Sequence, residues 1–109
     1  MPTYILLTNL TAQGVQTLKS NPERLRAVNS DVEELGAKVI HQWATLGPYD
    51  FVTVIDAPNN AAISRISVEL GARGGVAGMT MAAIPLDQFI DGLEQNGGRQ
   101  SKRLPRKKR

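Results

Sequence analysis

The most restrictive feature of this sequence is a pair of strand patterns with almost nothing between them. Lys38 to Leu46 alternates, with Val39, His41, Trp43 and Thr45 on one parity and Ile40, Gln42, Ala44 and Leu46 on the other. Gly47-Pro48 breaks the run, and Phe51-Val52-Thr53-Val54-Ile55 resumes it. Two strand patterns so closely spaced form a hairpin, which commits the chain to antiparallel pairing at its middle. Helical patterns lie on both sides. Upstream, Tyr4 to Thr8 is an apolar, β-rich run. Thr11 can cap a short helix carrying Val15 and Leu18, and Asn21-Pro22 restarts the pattern with Asn21 as N-cap. Leu25, Val28, Val32 and Leu35 then recur at helical spacing until Gly36, giving one long, kinked first helical segment. Downstream, Ala57-Pro58-Asn59 leads into a helix with Ala62, Ile63, Ile66 and Leu70 on one stripe. Met79 to Ile84 reads as a fourth strand. Pro85 opens a short last helix bearing Leu86, Phe89, Ile90 and Leu93. The order β-α-β-β-α-β predicts an α+β, ferredoxin-like antiparallel sheet with its helices on one face.

With 109 residues there is room for one small domain. The charge divides it from a tail. Residues 1–95 hold six basic side chains against all ten acids, net −4, whereas residues 96–109 hold seven basic side chains and no acid. Asn96-Gly97-Gly98 marks the boundary, and beyond it only Leu104 offers a bulky apolar side chain. A segment this poor in apolar side chains cannot offset its ordering entropy, so we expect a domain over 1–95 and a flexible basic tail over 96–109. Within the tail, Lys102, Arg103, Arg106, Lys107, Lys108 and Arg109 are candidates for attracting nucleic acid by counterion release, without reading sequence. The competing role is that of a solvated tail, or of docking to an acidic surface.

Several classes are excluded. The absence of cysteine removes disulfides, thiol nucleophiles and thiolate metal sites, and one histidine cannot build a His-rich metal centre. We therefore expect no metal and no cofactor. No apolar run reaches the ~20 residues of a membrane span, and the N-terminus lacks the basic region of a signal peptide, so the expectation is a cytoplasmic protein with no membrane partner.

Helices cover one side of such a sheet, and the other side must meet something. Taking Ile5, Leu7, Ile40, Ala44, Val52 and Val54 as inward leaves Tyr4, Leu6, Thr8, His41, Trp43, Thr45, Phe51, Thr53 and Ile55 outward. The fourth strand adds Met79 and Met81 or, if bulged, Thr80. That surface is too apolar for water, and a second copy of the chain is the simplest cover. Two sheets face to face would enclose a cavity, a common small-molecule site.

Thr45-Leu46-Gly47-Pro48-Tyr49-Asp50-Phe51-Val52, followed by the Ala57-Pro58 turn into a helix, resembles the GYD-domain family. The opening Tyr4 to Thr8 and Gly14 agree with it, and the resemblance spans roughly residues 3–90. Pro48 departs from the literal Gly-Tyr-Asp motif by standing between glycine and tyrosine. The resemblance implies the dimeric α/β-barrel group, with back-to-back sheet pairing in a homo-oligomer. It implies no particular reaction, because that group holds monooxygenases, isomerases and ligand-binding regulatory domains alike.

The candidate ligand-binding residues are Tyr4, His41, Trp43, Tyr49, Asp50 and Arg73. Imidazole is the side-chain type suited to proton transfer at neutral pH, which makes His41 a weak catalytic candidate, although neither a partner base nor a nucleophile accompanies it in the sequence. Asp50 can instead bond turn N–H groups and fix the chain direction. Arg73 stands among glycines at 71, 74, 75 and 78, where an anion could bind, but the stretch lacks the Gly-Lys-Ser/Thr ending of a phosphate loop. The sequence thus favours a homo-oligomeric domain that binds a small ligand or partner. The alternatives are a cofactor-independent enzyme using His41 and a nucleic-acid-associated protein working through its tail.

Overall fold

The structure, a computed structural model, describes residues 1–101, with side chains through 95. Its elements run β1 (Thr3–Leu10), α1 (Ala12–Ser20), α2 (Arg24–Glu34), β2 (Lys38–Ala44), β3 (Phe51–Asp56), α3 (Asn60–Ala72), β4 (Val76–Ala83) and α4 (Leu86–Ser101). The four strands form one sheet in the order β2-β3-β1-β4, every neighbouring pair antiparallel. This is the ferredoxin-like arrangement that the sequence predicts.

Local chemistry explains most of the boundaries. Thr11 caps α1, its Oγ1 accepting from the Gly14 N–H at 3.0 Å, and Asn59 caps α3, its Oδ1 accepting from the Ala62 N–H at 2.8 Å. Gly36 ends the α2 turn at φ +99°, a conformation that a side chain would strain. Asn21 behaves differently from its predicted role as the N-cap of α2. Its backbone N–H closes α1 on the Thr17 carbonyl, and α2 starts three residues later with no side-chain cap. The Pro22-Glu23 turn therefore separates two helices within the kinked segment. The last helix continues to Ser101, past the Gly97-Gly98 pair expected to end it. Glycine inside a helix costs only about 1 kcal/mol relative to alanine, which discourages helix without forbidding it.

The core lies between the sheet and the helices. Tyr4, Leu6, Phe51 and Ile55 are buried there, and Tyr4, Leu6 and Ile55 cluster with Val32 of α2 and Ile63 and Ile66 of α3. This reverses the expected faces of β1 and β3, where Ile5, Leu7, Val52 and Val54 were to point inward. Both parities of these strands are apolar, so alternation alone carries no direction. Tyr4 fixes it: its hydroxyl donates to Asn60 Oδ1 at 2.5 Å, which places the ring beneath α3. On β2 the register shifts between Val39 and His41. Val39 pairs with Ile55 and packs against the core, whereas His41 pairs with Val54 and belongs to the opposite face. The bulge thus splits residues that simple alternation groups together.

Candidate functional site

The uncovered sheet face follows from the strand register. Ile5 of β1 is flanked by Val54 of β3 and Met81 of β4, and Leu7 by Val52 and Met79. His41 and Trp43 of β2 extend this surface through their pairing with Val54 and Val52. Trp43 is 51% exposed, and Met79 and Met81 are exposed beside β1. The His41 and Trp43 rings stack, with centroids 5.4 Å apart and planes at 20°. Both residues thus lie on the open face, as the sequence reading has it, but their neighbours there are Ile5, Leu7, Val52 and Val54. Tyr4, Leu6, Phe51, Thr53 and Ile55, expected on that face, are buried on the helix side. Thr80, the alternative for β4, pairs with Leu6, and its hydroxyl meets Ser67 Oγ of α3 at 2.9 Å.

This face is defined by its shape and its apolar side chains. Among the described residues no carboxylate, carbonyl or hydroxyl oxygen holds a ring nitrogen of His41, and its recorded ring contact is with Trp43. An imidazole used in general acid–base chemistry is commonly oriented by such a partner. Among the described residues no group of three His, Asp or Glu is placed to hold a metal ion, and no helix is long and apolar enough to cross a membrane.

Asp50 lies at the far end of the hairpin and ties it to a different strand. Its Oδ2 accepts from the Leu10 N–H at 2.8 Å, while its own N–H donates to the Thr8 carbonyl at 2.9 Å and to Asn9 Oδ1 at 3.0 Å. The Asp50 carbonyl accepts from the Thr45 N–H at 2.7 Å, and Thr45 Oγ1 donates to the Tyr49 carbonyl at 2.6 Å. These Asp50 contacts are all internal to the fold. Tyr49 beside it is half-buried. Arg73 follows α3, and its guanidinium pairs with Asp31 of α2 at 2.7 Å. The six ligand candidates therefore do not converge. His41 and Trp43 share the open face, Tyr4 is in the core, Tyr49 and Asp50 hold the hairpin, and Arg73 bridges two helical segments. Lys102, Arg103, Arg106, Lys107, Lys108 and Arg109 lie outside the described residues.

Two features escape the sequence reading. One is that the α4 stripe of Leu86, Phe89, Ile90 and Leu93, legible as a stripe, is exposed along its length. The other is a hollow of about 190 Å³ on the helix side of the sheet, reached by α1, α2 and the Arg73–Val76 connection. Its one signal in the sequence is Thr53, a hydroxyl at a position whose strand neighbours on the same face are Phe51 and Ile55.

The sequence model of a family described as GYD domain matches residues 4–93. A protein of Thermus thermophilus named glutamine synthetase and cystathionine beta-lyase binding protein is 45% identical to this chain over 95 residues. The match takes in 86% of this chain and all of that relative.

Proposed function

Since the chain belongs to the GYD-domain family, we propose that it is a homo-oligomeric protein-binding module that acts on partner enzymes rather than on a substrate of its own. The observation that carries this reading is the uncovered sheet face. Ile5, Leu7, Val52, Val54, Trp43, Met79 and Met81 make a continuous apolar surface with the His41–Trp43 stack at one side. Contiguous apolar surface of this kind marks an interaction site, and aromatic and methionine side chains are the types enriched at such sites. A second copy of the chain is its cover in our reading. Sheet-to-sheet packing is self-complementary about a two-fold axis, so one patch serves both partners. Partner enzymes then meet the assembled pair. The name of the Thermus thermophilus relative supports this class of partner, since it gives two enzymes as what that protein binds.

Trp43→Asp tests the interface, because it sets an unpaired carboxylate within a desolvated contact. Sedimentation velocity should show wild-type protein as a dimer or larger and Trp43→Asp shifted to monomer. A wild-type monomer at micromolar concentration refutes the pairing. For the partner class, immobilised full-length chain should retain glutamine synthetase or cystathionine beta-lyase from its own organism. Failure with both refutes that class.

A further inference from the structure

The hollow on the helix side of the sheet has features that the open face lacks. Its walls are apolar, with Leu18 of α1, Leu25 and Val28 of α2, and Leu6, Phe51 and Val76 of the sheet. At about 190 Å³ it exceeds the ~150 Å³ cavity that holds a benzene ring in another protein. One of its walls is set by backbone. Thr11 donates through its N–H to the Gly75 carbonyl at 3.0 Å and through Oγ1 to the Gly74 carbonyl at 2.7 Å, and Gly14 packs directly on Gly75.

Polar groups enter this apolar space in a definite order. Asn29 Nδ2 of α2 donates to Gln42 Oε1 of β2 at 2.7 Å, and Gln42 Nε2 donates to Thr53 Oγ1 of β3 at 3.0 Å. All three residues line the hollow. Thr53 is 5% exposed, so its hydroxyl accepts from Gln42 while its own proton has no acceptor among the described residues. A buried hydroxyl at the end of a donor chain is polarised to donate onward. The lining also carries charge. Arg73 is neutralised by Asp31, whereas Arg24 is exposed and makes no ion pair among the described residues. The lining is therefore net positive.

We propose that this hollow binds a small, ring-sized monocarboxylic acid carrying a second oxygen acceptor, a keto or hydroxyl group. The apolar body fills the chamber between α2 and Phe51. Thr53 donates to the second oxygen, and Arg24 attracts the carboxylate. The two polar groups serve different atoms of one ligand, which makes the assignment separable by experiment.

The test uses full-length protein and three probes: 4-hydroxybenzoate, benzoate and 4-hydroxybenzyl alcohol. Binding is followed by amide chemical shifts and by calorimetry. We expect 4-hydroxybenzoate to bind with shifts at Val28, Val32, Thr53 and Gly75, and each of the other probes to bind several-fold more weakly. Arg24→Gln should abolish the preference over the alcohol while keeping the preference over benzoate. Thr53→Val, nearly isosteric, should do the reverse. Val28→Phe should fill the chamber and block all three probes while the protein stays folded by its amide spectrum. Equal affinity for the three probes in wild type, no binding at millimolar concentration, or shifts confined to the open face would each overturn the assignment. So would probe preferences left unchanged by both polar substitutions.

Discussion

Asp50 reaches across the fold rather than into its own turn, and that reach sets what the residue is for. Its carboxylate holds the Leu10 N–H, forty residues away in sequence, at the point where β1 runs out. Replacing it with alanine leaves that donor without its partner at a half-buried site, a loss of about 1–3 kcal/mol. We expect Asp50→Ala to lower the denaturation midpoint by that amount and Asp50→Asn, which keeps an acceptor oxygen, to lower it less. Chemical denaturation of the three proteins measures the difference. The sequence suggested a structural bond for Asp50 but not its partner, because the partner is a backbone group brought close only by the β1–β3 pairing. Tyr4 teaches the converse. Its buried place beneath α3 depends on Asn60, and the alternating apolar run around it reads equally well in either direction.

At the level of elements, the order and type of every strand and helix through β4 were legible, because turn residues punctuate them cleanly. The orientation of the strands was not. A single extra residue at Ile40 places Val39 against the core and His41 on the opposite face, and such a bulge leaves no mark in a pattern of alternating apolar side chains. A second element-level constraint is the crossing of α1 over the start of β4. A Cβ on Gly14 would run into the Gly75 carbonyl oxygen, a backbone atom held in place by Thr11. Gly14→Ala must therefore push α1 off the sheet. We expect a loss of about 1–3 kcal/mol, the usual range for overpacking, despite the higher helix propensity of alanine. A thermal melt of Gly14→Ala at or above the wild-type midpoint would contradict this crossing.

Taken whole, the chain runs from ninety-five residues of net −4 into a terminal segment with seven basic residues. We propose that this segment acts apart from the fold. Removing residues 97–109 should leave the thermal midpoint nearly unchanged, because the apolar stripe of α4 ends at Leu93. Intact protein should retard DNA or RNA at low salt, without sequence preference, and lose that retardation as salt rises. Equal retardation by intact and truncated protein would remove nucleic acid as a partner. The hollow beneath α1 and α2 has a consequence of another kind, for volume. Where its apolar walls keep water out, space bounded by Leu18, Val28 and Phe51 counts in the volume of the folded chain and is given up when the chain unfolds. Hydrostatic pressure therefore acts on this domain through that space. A molecule seated beside Thr53 takes up the room that compression would otherwise remove, making the loaded protein the stiffer of the two.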